Sequence, residues 1–128
     1  MIDSLKALHP QASEEVPELP ENAPKIRADP DLLQRALKRL ANGAAPAGSG
    51  WTGELLQSLA ADTDCYVGIE CIVNDILNGD LSSELRDVIL ASVLVVAAKS
   101  SGGVRPIAMG EVFYKLAGLY ALVRYVVI

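Results

Sequence analysis

A lysine and an arginine flank a pair of glycines near residue 100, and these residue types could bind phosphate. Lys99 is followed by Ser100-Ser101-Gly102-Gly103-Val104 and then by Arg105. Two cations can converge on phosphate oxygens, and glycines leave the backbone N–H groups beside them accessible. A nucleoside triphosphate or a nucleic-acid backbone fits this chemistry, although a solvated turn that binds nothing also accounts for the pattern. The glycine spacing is not that of a P-loop.

The segments on either side of the glycines predict a β-hairpin. Residues 93–98 form an uncharged apolar run rich in β-branched side chains, and residues 104–109 form a second candidate strand. A short turn that contains glycine is the usual connection between two such strands. Pro106 indicates that the second strand lies at a sheet edge, or that this position donates no hydrogen bond to the ladder.

Helical patterns precede and follow the hairpin, so the fold class expected is α+β, mostly helical with one β-hairpin, as part of an incomplete domain. The first predicted helix begins at Asp29-Pro30 and ends at Asn42-Gly43, and the second runs from Gly53 to about Ala60 with Thr52 as N-cap. The third is capped by Thr63 or Asp64 and ends at Asn78-Gly79. The fourth runs roughly from Glu84 to Leu90 with Ser82 or Ser83 as N-cap, and Gly110 opens the last.

The first helix carries a cluster of cations. Its apolar positions recur at helical spacing, and Arg35, Lys38 and Arg39 lie mostly off that apolar face. These cations either form a solvated face near the negative end of the helix dipole or contact the phosphates of a nucleic acid.

Composition excludes several classes of protein. The chain has 128 residues, the size of one domain, and a net charge of −5, which taken whole argues against a basic protein that coats nucleic acid. Residues 32–50 nevertheless contain three basic residues and no acidic one. One histidine and two cysteines exclude a Cys/His zinc module and a disulfide scaffold.

The two ends of the chain differ in character. Residues 1–28 are rich in proline and glutamate and predict a disordered leader, which leaves residues 29–128 as the folded part. No secretory signal is visible, so we expect an intracellular protein, cytoplasmic or nuclear, with Cys65 and Cys71 as free thiols. The apolar run over residues 116–128 is too short for a membrane span, and no membrane partner is expected.

The hairpin and the helix that follows it resemble the fingers region of reverse transcriptases, most closely those of non-LTR retrotransposons. Those enzymes carry a K-x-x-G-G-x-R-P-I hairpin, which matches residues 99–107, and then a G-E-V-(aromatic)-x-(K/R)-L helix, which matches residues 110–116. The segments Gly48 to Thr52 and Leu81 to Arg86 resemble the helical lead-in of the family. The resemblance is strong over residues 94–120, looser over residues 30–93, and absent from the leader.

This resemblance implies roles for particular residues. Lys99 and Arg105 would contact the phosphates of the incoming nucleoside triphosphate, and the Gly102-Gly103 tip would allow close approach to the nucleotide or the template. A second set of cations would contact the backbone of the RNA template or the DNA primer: Arg35, Lys38, Arg39 and Lys115.

The sequence departs from the family in two ways. Ser100 stands where the family often has proline, which should loosen the turn without removing the cations. The palm aspartates and the Y/F-x-D-D motif, which hold Mg²⁺ in a complete enzyme, do not occur among the 128 residues. The aspartates between residues 62 and 87 fit helix caps, turns and solvated faces instead. We therefore assign no catalytic residue and no metal ligand, and expect a fragment that is inactive alone.

One alternative function stays open. The apolar C-terminal helix could dock a partner or a second copy, which would make the chain a small helical interaction or dimerisation module.

Overall fold

The computed structural model of the chain describes residues 20–126 and, before them, residues 3, 7 and 18. Within residues 20–126 the chain forms five helices and one antiparallel hairpin, which confirms the α+β, mostly helical fold class. The elements in chain order are α1 (Pro30–Lys38), α2 (Gly53–Leu59), α3 (Thr63–Asn78), α4 (Ser83–Leu90), β1 (Ser92–Ala98), β2 (Val104–Gly110) and α5 (Val112–Tyr125).

The first helix begins where the sequence predicts but ends earlier. The Asp29 carboxylate accepts the N–H groups of Asp31 and Leu32, and Pro30 occupies the first turn. The predicted end at Asn42-Gly43 is wrong, because the helix stops at Lys38. Side chains of α2 take over the bonds that a longer helix would have made. The Gln57 side-chain amide donates to the Leu37 carbonyl at 2.8 Å.

A second side chain of α2 fixes the segment that follows α1. The N–H of Gly43 donates a hydrogen bond to the Glu54 carboxylate, and this bond holds the pKa of the Glu54 carboxyl below its ordinary value. Gly43 has a φ of 72°, a left-handed backbone conformation that glycine adopts without steric cost.

Helices α2 to α4 follow the predicted capping pattern with one exception. Thr52 and Ser82 are the N-caps of α2 and α4, and Gly79 ends α3 in the left-handed conformation at φ 66°. The cap of α3 is Asp62 and not the predicted Thr63 or Asp64. Its carboxylate accepts the N–H of Cys65 at 3.0 Å.

The last helix begins two residues later than predicted. Gly110 does not open α5, because it is the final residue of β2 and pairs with Ser92. Glu111 is the N-cap, and Val112 is the first helical residue.

The hydrophobic core lies between the helices. Its fully buried side chains come from α1, α2, α3 and α5, and the largest are Leu33, Leu56, Val73, Leu116 and Tyr120. Tyr120 is 1% exposed. Its phenol oxygen accepts a hydrogen bond from the N–H of Asp29 at 2.9 Å, and this bond joins α5 to the start of α1. Among the described residues, none from the hairpin belongs to this core.

Residues 25–28 are attached to α3. Lys25 forms an ion pair with Asp80 at 2.6 Å, and the Asn78 side chain exchanges hydrogen bonds with the backbone of Ile26 at 2.6 and 2.7 Å. The N–H of Ala28, which is buried, donates to the Asn74 side chain. The packed region therefore starts at Lys25, inside the stretch 1–28 that the sequence predicts as a leader. Most of that leader lies outside the described residues.

The structure also bears on the two cysteines and on membrane spans. Cys65 and Cys71 are free thiols, as predicted. No helix that the structure describes has the length and apolarity to cross a membrane.

Candidate phosphate-binding hairpin

The hairpin holds Lys99 at the end of β1 and Arg105 near the start of β2. In the ladder Ala97 pairs with Arg105 and Ala98 with Val104. The N–H of Lys99 donates to the Gly103 carbonyl at 3.1 Å, which extends the pairing by one step. The N–H of Gly102 donates back to the Lys99 carbonyl, also at 3.1 Å, and closes the turn.

Both tip glycines have backbone conformations that residues with a side chain rarely adopt. Gly102 has a φ of 91° and Gly103 a φ of 83°. A tight hairpin loop requires such positive φ values, and glycine adopts them without steric cost. No atom lies within 4 Å of the place where a Cβ would stand on either glycine. The backbone at the tip is therefore open to approach by a ligand.

Lys99 and Arg105 lie on the same face of the hairpin. Side chains two positions apart on a strand share a face, and directly paired residues share one too. Lys99 is two residues beyond Ala97, and Ala97 pairs with Arg105. The two cations are thus diagonal neighbours, whose separation in a sheet is roughly 7–8 Å.

Among the described residues, no carboxylate forms an ion pair with either cation of this pair. Both side chains are exposed, and within the described part of the chain the one ion pair shorter than 4.0 Å joins Lys25 to Asp80. Two exposed cations beside an accessible backbone can donate hydrogen bonds to the oxygens of a phosphate chain, and Arg105 can donate two in parallel.

Pro106 occupies a position where no ladder hydrogen bond is needed. Hydrogen-bonded and non-hydrogen-bonded pairs alternate along an antiparallel ladder. Since Lys99 and Gly103 form a hydrogen-bonded pair, Pro106 and Val96 form a non-hydrogen-bonded one. The residue lies on an edge strand and does not donate, as the sequence predicts.

The base of the hairpin contains a buried carboxylate that the sequence reasoning did not single out. Glu111 is 3% exposed and accepts a hydrogen bond from the Ser49 hydroxyl. The same hydroxyl oxygen accepts the N–H of Trp51 at 3.2 Å. The Trp51 indole meets the Phe113 ring edge-on, with 6.2 Å between the ring centroids. A glutamate between Gly110 and the apolar start of α5 is the one local signal for this role.

The cations of α1 are exposed, and they do not converge with Lys115. Arg35, Lys38 and Arg39 share one helical face, since they are three and four residues apart. Arg35 lines an open cavity of about 760 Å³ that also receives Arg27 and Arg124, together with the acidic side chains of Asp29, Asp31 and Glu70.

Lys38 and Lys115 line two other concavities. Lys38 borders a cavity of about 220 Å³ beside Gln34 and Gln57. Lys115 borders a cavity of about 50 Å³ between the residues that follow α1 and the base of the hairpin. The structure therefore brings Lys99 and Arg105 together on the hairpin. Arg35, Lys38 and Arg39 share a face of the first helix, and Lys115 lies apart from them on α5.

Acidic side chains act here as caps and surface partners. Asp62 caps α3, and Asp80 pairs with Lys25. Over residues 20–126 and the isolated described residues before them, no three side chains of His, Cys, Asp or Glu type group together as metal ligands.

The chain is similar in sequence to a retrotransposon protein. It is 41% identical over 94 residues to the retrotransposable element SLACS 132 kDa protein of Trypanosoma brucei gambiense. The match covers 73% of this chain and 8% of that protein, so the chain spans a small part of the length of this relative. No protein-family model matches the chain. No solved structure matches it. The similarity supports a retrotransposon origin for this chain.

Proposed function

We propose that this chain is the fingers portion of a retroelement reverse transcriptase, an RNA-directed DNA polymerase, and that its hairpin binds the incoming nucleoside triphosphate. The observation that carries the proposal is the shared face of Lys99 and Arg105 beside the open Gly102-Gly103 tip. The similarity to a retrotransposon protein supports the retroelement origin in this proposal.

The proposed contacts follow from the chemistry of the two cations. The Lys99 ammonium group is a compact charge on a flexible stem and can follow a phosphate oxygen as the ligand enters. The Arg105 guanidinium is planar and donates two parallel hydrogen bonds, which orients the phosphate that it holds. The bare backbone of Gly102 and Gly103 lets a base or sugar lie close to the tip.

The cations of α1 and α5 would contact the nucleic acid. In this proposal Arg35, Lys38, Arg39 and Lys115 bind phosphates of the RNA template or the DNA primer. Arg35, Lys38 and Lys115 border separate concavities, so each of these three would contact a different phosphate. The contribution of each contact to binding would depend on salt concentration.

The proposal gives this chain a binding role and no chemical step. Addition of a nucleotide requires Mg²⁺ held by carboxylates. Among the described residues, no three side chains of His, Cys, Asp or Glu type group together. The complete enzyme would use Mg²⁺ held elsewhere, and the chain alone would not catalyse polymerisation.

Binding measurements on the full 128-residue chain test the proposal. We would titrate a fluorescent deoxynucleoside triphosphate, and separately a labelled RNA–DNA template–primer, into the wild type and into Lys99→Ala and Arg105→Ala. Each substitution should weaken triphosphate binding by about tenfold, since it removes a charge-assisted hydrogen bond. Arg86→Ala, which removes an exposed cation of α4, is the matched control and should leave the affinity unchanged.

The template–primer titration separates the two sets of cations. Lys38→Ala should reduce the slope of log K against log salt concentration by about one, the value expected for loss of a single phosphate contact. It should leave triphosphate affinity unchanged. Triphosphate affinity that is the same in Lys99→Ala, Arg105→Ala and Arg86→Ala would overturn the role assigned to the hairpin.

A further inference from the structure

The outer edge of β1 has unpaired backbone groups. Because the Lys99–Gly103 pair is hydrogen-bonded, the alternation of the ladder directs the N–H and C=O groups of every second residue away from β2. These residues are Ser92, Leu94, Val96 and Ala98. Within the part of the chain that the structure describes, no backbone or side-chain group bonds to them.

The two edges of the hairpin differ in their capacity to accept another strand. On β2 the outward positions are Val104, Pro106, Ala108 and Gly110, and Pro106 has no N–H to donate. Strand β1 contains no proline, no glycine and no charged residue from Ser92 to Ala98. Charges and prolines are the usual protection of an edge strand, so β2 is protected and β1 is not.

We propose that β1 pairs antiparallel with β1 of a second copy of this chain and forms a symmetric dimer with a four-stranded sheet. The pairing centred on Val95 matches Leu94 with Val96 of the second copy and Ser92 with Ala98 of the second copy. In that register every outward N–H and C=O of the four edge residues finds a partner. The edge is therefore complementary to itself, which a two-fold interface requires.

The side chains of the edge also fit a second copy. Val93, Leu94 and Val95 are 38–40% exposed although they are apolar. In the proposed register they lie beside apolar residues of the other β1 strand, and apolar cross-strand pairs stabilise a sheet. An uncharged strand offers nothing to attract a charged peptide and nothing to repel an identical strand.

The dimer leaves the hairpin tips free. Lys99 would lie level with Ala91 of the second copy, so the cations of the two tips stay at opposite ends of the sheet. Pro106 blocks the remaining outer edges, and assembly therefore stops at the dimer. This inference does not depend on the proposed function, since it uses none of the phosphate-binding residues.

Analytical ultracentrifugation of the full chain tests the proposal. At about 100 μM the wild type should sediment with twice the 13.6 kDa chain mass. Val96→Pro removes an outward N–H without breaking the ladder to β2, because Val96 faces Pro106 in a non-hydrogen-bonded pair. It should raise the dimer dissociation constant at least about tenfold. Ala108→Pro makes the same change on the outer edge of β2 and should leave the dimer intact.

A second variant protects the test against a failure to fold. Leu94→Lys places like charges across the proposed interface and should yield a monomer with an unchanged circular dichroism spectrum. Three results would overturn the proposal: a monomeric wild type, a dimer that survives in Val96→Pro and Leu94→Lys, or a dimer that is lost in Ala108→Pro as well. A dimer abolished by Leu122→Lys on α5 and retained in the edge variants would instead assign self-association to the C-terminal helix.

Discussion

The Ser49 hydroxyl donates a hydrogen bond to the buried carboxylate of Glu111, which lies 62 residues later in the chain. Glu111 is the N-cap of α5 and the first residue after β2, so this bond fixes the junction between hairpin and helices. Its carboxylate is an acceptor that the N-cap role does not use, since no side-chain bond to the helix forms.

Loss of this donor should destabilise the protein. Ser49→Ala leaves a buried carboxylate without its partner, and we expect the free energy of unfolding to fall by about 1–3 kcal/mol. Urea denaturation measures the change. Ser101→Ala, at the exposed hairpin tip, should stay within about 0.5 kcal/mol of the wild type. Equal costs for the two substitutions would contradict a structural role for the Ser49–Glu111 bond.

The hydroxyl of the buried Tyr120 should contribute more to stability than the hydroxyl of the exposed Tyr125. Tyr120 is 1% exposed, and Tyr120→Phe removes the acceptor of the Asp29 N–H. This change should cost about 1–2 kcal/mol. Tyr125→Phe removes the same group from a side chain that is 61% exposed and should cost nothing measurable. Thermal or urea unfolding of both variants makes the comparison. A silent Tyr120→Phe would argue against the link between α5 and α1.

Alanine should have opposite effects at tip and helix glycines. Gly102→Ala forces a side chain into positive φ and should cost about 1–2 kcal/mol. Gly68→Ala, in the interior of α3, meets no atom within 4 Å and should stabilise the protein by about 0.5–1 kcal/mol. Differential scanning calorimetry can read both shifts. The same sign for the two substitutions would rule out backbone conformation as the cause.

Tyr66 should make stability fall at alkaline pH. Burial, and then the nearby charges of Glu70, Asp31 and Asp29, raises the pKa of Tyr66 from 10.0 to about 12. Its hydroxyl donates to the Pro30 carbonyl at 2.5 Å, which also favours the protonated form.

The sign of the effect follows from linkage. Because the unfolded tyrosine loses its proton first, the contribution is complete below pH 10 and is lost between about pH 10 and 12. Urea midpoints across this range should fall less steeply in Tyr66→Phe than in the wild type. Parallel profiles would show that Tyr66 does not carry the effect, and absorbance titration at alkaline pH would locate its ionisation directly.

Local signals in the sequence predict most of the fold. The glycine turn of the hairpin and the caps at Asp29, Thr52 and Ser82 depend on residues within four positions of one another. The end of α1 could not be predicted in this way. It depends on Gln57, which reaches the Leu37 carbonyl from 20 residues away.

The candidate site also has some features that local sequence predicts and others that it does not. Lys99 and Arg105 share a face because hairpin register follows from a short turn, which the sequence contains. The burial of Glu111 depends on Ser49, far away in sequence, and charged residues are ordinarily exposed. The distribution of Arg35, Lys38 and Lys115 over separate concavities depends on how the helices pack, which no local pattern reveals.

The junction at Glu111 also has a mechanical meaning. Each strand of the hairpin has seven residues, so the tip stands roughly 20 Å from the base at about 3.3 Å per residue. The buried Glu111 carboxylate fixes the orientation of the hairpin at its base. A rotation of the hairpin by about ten degrees about this base would move Lys99 by roughly 3–4 Å, more than the length of a hydrogen bond. The position of Lys99 and Arg105 at the tip therefore depends on the Ser49–Glu111 hydrogen bond at the opposite end of the hairpin.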